Sequence, residues 1–299
     1  MPSNPRVPFR LSTARPSLAA PAGKPLICHI VVNVEHWPFD QPMPRTLFQR
    51  PHGANRGPDI PNFCWVEYGL RAGIPRLLKL FEERELPVTA AMNASVIDVY
   101  PSVAQAVLSG GWQFMGHGVV QRSLEHELDE VAVIRESLEK VTSFSGRRPR
   151  SWLGPGLGES LETPDHLAAA GIEYIYEWSL DDLPERMNTR TGTVFAMPYA
   201  LELNDVTIFS IEKHQSPVFY DRFRDTVAAF EPELQEQPRI LTLALHPNVI
   251  AQPHRIGYLS RTLDLLQRRA DTIFMTCDAI GDWYKAELAA HGEVRAAGA

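Results

Sequence analysis

The chain alternates between short apolar runs and longer amphipathic segments. The run 26–34, LICHIVVNV, is rich in β-branched residues and predicts a buried strand. Residues 71–86 carry apolar side chains at helical spacing and predict an amphipathic helix. The next apolar run, PVTAAMNA, predicts a second strand. Strand followed by helix, repeated along the chain, indicates a mainly parallel sheet with helices outside it.

The same pattern continues to the end of the chain. Further helices are predicted over 102–109, 124–144, 163–170, 218–230, 256–269 and 278–290. Further strands are predicted over 112–115, 149–153, 172–178, 240–247 and 272–276, with two more around a polar turn within 193–212. The Gly- and Pro-rich stretch 38–62 is too long for a simple connection, so we expect it to form a loop over a site.

Polar residues follow several of the predicted strands. Each group alone has an ordinary structural explanation, such as a turn or a cap. Because the carboxyl ends of parallel strands meet at one edge of a sheet, five such groups together predict an active site there. Carboxylates and imidazoles of this kind bind a metal, activate water or protonate a leaving nitrogen. The groups are Asn33-Val34-Glu35-His36-Trp37, Gly116-His117-Gly118, Gly154-Pro155-Gly156, Glu177-Trp178 with Asp181-Asp182, and His246-Pro247.

Composition narrows the class of protein. Of the 299 residues, 44% are hydrophobic, enough for a sizeable core, and the net charge of -7 argues against nucleic-acid binding and a polybasic membrane anchor. No GxSxG, GxxxxGK[ST] or GxGxxG motif supports a serine nucleophile or nucleotide chemistry. Three dispersed cysteines and no apolar stretch of signal-peptide length within the first 25 residues predict a cytoplasmic protein with no membrane association.

The ordered motifs NVEHW, GHG, the Gly-Pro loop, EWSLDD and LHPNVIAQPHR resemble the polysaccharide deacetylase superfamily. The segments PDIPNFCWVEYGLRAG, MPYALELND and HPNVIAQPHRI resemble its small-molecule branch of allantoinase-like proteins and cyclic imide hydrolases. The resemblance implies an α/β fold, a deformed (β/α) barrel over 26–290, flanked by an N-terminal arm (1–25) and a C-terminal tail (291–299). It also implies a small-molecule substrate and a homo-oligomer such as a tetramer.

The resemblance also bears on a metal. In metal-dependent members the first motif supplies a general base and a metal ligand, and an HxxxH motif supplies two further ligands. If the acids are read two apart, Asn33 replaces the base and Glu35 takes the metal position; if read adjacent, Glu35 is the base and His36 binds the metal. His117 is retained, whereas Gln121 replaces the second histidine. The candidate metal set for zinc is therefore Glu35, His36 and His117, and it requires His36 to point inward. The alternative is a core histidine beside Trp37, and metal dependence stays open at this point.

The remaining candidate roles follow from the same likeness. Glu35 and His246 are the candidate catalytic residues, the latter as general acid or oxyanion stabiliser. The candidate substrate-binding residues are Trp37, Arg71, Trp152, Glu177, Asp181, His254 and Arg255. For three of them a structural alternative is evident. Arg71 has the i,i+4 spacing for an ion pair with Glu67, and His254 and Arg255 stand where the next helix begins.

Three functions are consistent with these observations. The leading hypothesis is hydrolysis of a linear or cyclic amide C–N bond, as in an allantoin-like ureide or a cyclic imide. The second is N-deacetylation of acetylated sugars. The third is a catalytically inactive, ligand-binding member of the fold.

Overall fold

A mainly parallel sheet organises the chain. The structure, a computed structural model, describes residues 2–49 and 58–292. Its strand order is β6-β7-β5-β4-β3-β2-β1-β8, with β9 also paired to β1, and only the β6–β7 pair is antiparallel. The α/β fold expected from the alternating pattern is therefore confirmed. The strands are β1 (Leu26–Val34), β2 (Thr89–Met92), β3 (Gln113–Gly116), β4 (Ser151–Trp152), β5 (Tyr174–Ile175), β6 (Glu185–Thr189), β7 (Gly192–Ala196), β8 (Arg239–Leu245) and β9 (Thr272–Phe274).

Helices connect most of these strands. Among the described residues, no helix is both long and apolar enough to cross a bilayer. The helices are α1 (Ile60–Tyr68), α2 (Ile74–Glu82), α3 (Val96–Val99), α4 (Pro101–Ser109), α5 (Glu130–Ser145), α6 (Thr163–Ala169), α7 (Pro217–Phe230), α8 (Ile256–Gln267) and α9 (Cys277–Ala290).

One predicted helix and two predicted strands differ from the structure. The helix predicted over 124–144 begins later, as α5, because the Asp129 side chain accepts a hydrogen bond of 2.9 Å from the Ala132 amide and caps it there. Leu124–His126 forms a separate short turn. The two strands predicted within 193–212 are also wrong in part: the β6–β7 hairpin lies earlier, and Thr207–Ile211 is helical with π-type hydrogen bonds.

Strand β1 is the centre of the sheet. All nine of its residues are buried, and it pairs with β2, β8 and β9, which explains why it reads as one continuous apolar run. Its register aligns Val32 with Leu245 of β8 and Val34, through Met92, with Gly116 of β3. The residues that follow these three strands are therefore delivered to the same edge of the sheet.

The helical segment Gly69–Gly73, which joins α1 to α2, packs directly on the chain that follows β8. A Cβ atom added to Gly69 would lie 2.4 Å from the Asn248 backbone nitrogen. One added to Gly73 would lie 2.4 Å from the Pro247 carbonyl oxygen. No side chain can stand at either position without a shift of backbone, so the two glycines set the distance between this segment and the loop.

The N-terminal arm packs against its own domain. Val7 and Leu18 are buried, and the Arg6 guanidinium pairs with Asp165 at 2.8 Å. Arg15, whose side chain is 2% exposed, contacts Glu185 at 2.6 Å and Asp181 at 3.2 Å. The arm is thus held by ion pairs that are largely removed from solvent.

We expect Gly69→Ala to lower the free energy of unfolding by about 1–3 kcal/mol, the usual cost of overpacking a filled contact. Thermal or urea denaturation measures the change. Gly257→Ala is the matched control, since a Cβ atom there meets open space in α8 and stability should stay the same or rise slightly. Wild-type stability of Gly69→Ala would contradict the close contact.

We expect Arg15→Ala to destabilise the fold by about 1–3 kcal/mol, because it removes the arginine that pairs with Asp181 and one of the two arginines that pair with Glu185. The change is measured by chemical denaturation at neutral pH. Arg224→Ala removes an exposed arginine that pairs only with neighbours on its own helix, and little change is expected. Equal stability of the two variants would show that the Arg15 ion pairs contribute nothing to the stability of the fold.

Candidate active site

A cavity of about 360 Å³ opens at the carboxyl edge of the sheet. Glu35, His117 and His246, which follow β1, β3 and β8, all line it, together with Trp37. The structure thus brings together four residues that were selected from three separate strand ends of the sequence. Trp37 and Trp65 form part of the wall, with their rings edge to face at 6.2 Å.

Glu35 lies at the bottom of the pocket with its two oxygens in different environments. Oε2 accepts a hydrogen bond of 2.7 Å from the Trp37 indole Nε1. Oε1 lies 3.9 Å from His117 Nε2 and 3.6 Å from His246 Nε2. Burial alone would raise the pKa of the Glu35 carboxyl, but the neighbouring His117, His246 and Trp37 outweigh burial and hold it below the ordinary value. The carboxylate is therefore ionised at neutral pH, with one oxygen free.

His246 is held by a carboxylate that the sequence analysis did not identify. Asp205, fully buried, receives 2.7 Å hydrogen bonds from both the backbone amide and the ring Nδ1 of His246. Burial lowers the pKa of His246, but the charges of Asp205 and Glu35 exceed that effect and raise it above the ordinary value. Nδ1 carries a proton toward Asp205, so Nε2 is the nitrogen that faces Glu35 and exchanges protons.

His117 is fixed in the complementary way. Its Nδ1 contacts the Leu153 carbonyl oxygen, which can only accept, so this nitrogen carries the proton. Its Nε2 is buried and has no hydrogen-bond partner within the described chain. With Nδ1 committed to that carbonyl, Nε2 is the ring nitrogen that faces Glu35 Oε1.

Asn33 adds an acceptor to the pocket. Its Nδ2 donates to the Tyr199 hydroxyl at 3.0 Å and to the Leu245 carbonyl at 3.2 Å. Both N–H groups are thereby used, so the amide oxygen is what Asn33 offers to a ligand. Its amide also cannot act as the general base in place of a carboxylate.

The candidate metal set of Glu35, His36 and His117 does not assemble. His36 points away from the pocket: its Nδ1 bonds to the Ser95 hydroxyl at 2.8 Å and its ring packs edge-on against Tyr100. Successive side chains of an extended segment point in opposite directions, so Glu35 turned inward requires His36 turned outward. The structure supports the alternative of a packed histidine.

No other described residues replace that set. Within residues 2–49 and 58–292, no group of three or more His, Cys, Asp or Glu side chains has the arrangement to hold a metal ion. Glu35 and His117 give two firm ligands where zinc usually has three besides water, and Gln121 contributes only a weak amide oxygen. The residues present do not fit a zinc site, and no chemical step is assigned to one.

Three of the expected substrate-binding residues are directed elsewhere by local partners. The Arg71 side chain is 77% exposed and donates to Glu67 at 2.7 Å, the i,i+4 pair that was the alternative. His254 is exposed and outside the cavity. The Arg255 guanidinium stacks over the Phe209 ring at 4.3 Å. These three expectations are corrected.

Three others have structural roles. Trp152 is fully buried, with its ring lying on Gly116, and Asp181 pairs with Arg15. The Glu177 carboxylate accepts hydrogen bonds from the backbone amides of Gly154 and Tyr176. Burial and the nearby Glu159 carboxyl raise the pKa of Glu177 well above its ordinary value. Glu177 thus supports the Gly154 wall of the cavity and does not line it.

The predicted loop 38–62 reaches the site in part. Pro44 and Arg45 line the cavity, residues 50–57 lie outside the described residues, and α1 begins at Ile60. Sequence reasoning did not single out Arg45, because an arginine in a long loop carries no pattern that indicates its direction.

Comparisons with known proteins agree with the observed fold. No family model matches the chain. A curated Schizosaccharomyces pombe protein named "Putative polysaccharide deacetylase" is 23% identical over 247 residues, which are 74% of this chain and 75% of that protein. Two crystal structures, a probable polysaccharide deacetylase from Pseudomonas aeruginosa PAO1 and the PuuE allantoinase, each superpose with a TM-score of 0.80 and 22% identity. They cover 92% and 91% of this chain and 96% and 95% of their own. These matches confirm the resemblance found in the motifs: the chain has the deformed (β/α)-barrel fold of the polysaccharide deacetylase superfamily.

Proposed function

We propose that the protein hydrolyses the C–N bond of a small linear or cyclic amide, with Glu35 as general base and His246 as general acid. The observation that carries this proposal is the position of Glu35 Oε1. It is the free oxygen of an ionised carboxylate and lies between two imidazole nitrogens at 3.6 and 3.9 Å. Base and acid thus face a single cavity, as hydrolysis of an amide requires.

The first step is attack by water. A water molecule beside Glu35 Oε1 donates one proton to that oxygen, with His117 Nε2 also beside it. The Trp37 indole fixes Glu35 and the Leu153 carbonyl fixes His117. As Glu35 takes a proton, the water oxygen bonds to the amide carbon and the carbonyl electron pair moves to oxygen.

The second step breaks the C–N bond. The tetrahedral intermediate collapses, its oxyanion re-forms the carbonyl, and the departing nitrogen takes the proton from His246 Nε2. Asp205 holds His246 by two hydrogen bonds and favours the protonated ring, so the acid is both oriented and charged before the substrate arrives. Fixed geometry of this kind reduces the entropic part of the barrier.

The size of the cavity favours a compact substrate. About 360 Å³ lies at the lower end of the range for small-molecule pockets, and Trp37 and Trp65 suit a flat amide or ring. The name of one structural neighbour, an allantoinase, agrees with such a substrate.

N-deacetylation of an acetylated sugar is the second candidate. A neighbouring cavity of about 450 Å³ shares Pro44, Gln121 and Gly156 with the first and would extend it for a longer ligand. Two similar proteins carry deacetylase names. Comparing hydrolysis of allantoin, hydantoin and succinimide with that of N-acetylglucosamine oligomers distinguishes the two candidates.

We expect Glu35→Gln and His246→Asn each to lower kcat/KM by about 10²- to 10⁴-fold on whichever amide is turned over, the usual contribution of a general base or acid. Glu83→Gln and His254→Asn, exposed and outside the cavity, serve as matched controls and should keep wild-type rates. Activity should also survive dialysis against a chelator, since the donor set does not fit zinc. Wild-type turnover by Glu35→Gln, or no turnover of any amide by the wild type, would refute the proposed mechanism.

The pH profile gives a separate test. The pKa of Glu35 is held below 4.5, the ordinary value of a glutamic acid. Wild-type kcat/KM should therefore fall on the acid side only at a pH below 4.5, where Glu35 becomes protonated. The pKa of His246 is raised above 6.5, the ordinary value of histidine. The alkaline limb of the profile, where His246 loses its proton and kcat/KM falls, should therefore lie above pH 6.5. Asp205→Asn removes the charge that raises the pKa of His246, so the alkaline limb should move to lower pH. If Asp205→Asn lowers kcat/KM but leaves the alkaline limb at the wild-type pH, Asp205 has only a structural role.

A further inference from the structure

One cationic side chain of the cavity has no partner. Arg45 is the only lysine or arginine lining the pocket in the described part of the chain, and it is half-buried. Across residues 2–49 and 58–292 its guanidinium makes no hydrogen bond or ion pair. By contrast, Arg6, Arg15 and Arg150 each bind carboxylates. A guanidinium that is partly desolvated without a counter-charge is ready for an anionic ligand.

The charge of Arg45 acts on the reaction centre. Its positive charge opposes the effect of Asp205 and lowers the pKa of His246, so it lies within electrostatic reach of that ring. Glu35 is the only acidic residue that lines the cavity in the described chain. An anion entering the pocket would be repelled by Glu35. The protonated His246 lies next to Glu35 and is paired with Asp205, so Arg45 is the unpaired cation that offsets this repulsion at the loop side of the pocket.

We propose that Arg45 selects substrates that carry a carboxylate in addition to the scissile amide. This inference rests on the proposed function and names its substrate class. In this arrangement the amide carbon of the substrate faces the water held beside Glu35 Oε1. The carboxylate of the substrate is bound by the Arg45 guanidinium at the loop side of the pocket. A neutral N-acetylated sugar chain offers Arg45 no such group, so the inference also separates the two candidate functions.

The test compares matched ligands. N-acetylglycine and 5-hydantoinacetic acid are each paired with their uncharged carboxamide, and binding is measured by titration calorimetry at low ionic strength. A charge-assisted contact should make the wild type bind the carboxylate of at least one pair about 10- to 100-fold more tightly. Arg45→Gln should lose this preference, and Arg45→Lys should keep part of it. Arg71→Gln, which removes an exposed arginine outside the cavity, should keep all of it.

Turnover supplies the second readout. For hydrolysed pairs, Arg45→Gln should lower kcat/KM for the carboxylate and leave that for the carboxamide nearly unchanged. Equal losses on both would assign Arg45 to the oxyanion and overturn the inference, as would equal binding of acid and amide by the wild type. If the binding preference depends on Arg45 but neither these pairs nor allantoin, hydantoin, succinimide or N-acetylglucosamine oligomers are hydrolysed, the hydrolase proposal fails and the ligand class stands.

Discussion

The site depends on keeping one carboxylate ionised inside the protein. Burying a charge is costly unless opposite charges and hydrogen bonds surround it. Glu35 meets that requirement through an indole N–H and two imidazoles, and His246 in turn requires Asp205. The groups form one continuous network, so each holds its protonation state because of the next. Loss of one member would alter the charge of the others even where the fold survives.

The sheet makes this network possible without flexible parts. Glu35, His117 and His246 each follow directly on a buried strand, and the register of β1 with its neighbours fixes how far apart they stand. Supporting contacts come from backbone atoms, as with the Leu153 carbonyl behind His117. The chemistry is thus supported by rigid elements, whereas Arg45, on a loop, is the part of the pocket most able to adapt.

The sequence predicted what depends on periodicity and on strand ends. Strand β1 was predicted to the residue because both its faces are buried, and the polar residues after β1, β3 and β8 do share one cavity. Side-chain direction was beyond the same reasoning. His36 was left open between a metal ligand and a packed histidine, and the structure shows that it points away from the pocket. Trp152 was a candidate substrate-binding residue although it fills the core. Asp205 went unnoticed since 41 positions separate it from its partner histidine.

The contact made by Gly69 and Gly73 has a consequence for how this site tolerates sequence change. Gly69 and Gly73 meet backbone atoms of Asn248 and Pro247 and the Cβ atoms of the same two residues, whose positions do not depend on a rotamer. Substitutions elsewhere in the hydrophobic interior can therefore rearrange side chains without displacing the loop that begins at His246. The position of His246 therefore depends little on which side chains fill the surrounding core. In return, positions 69 and 73 accept only glycine without a shift of the backbone.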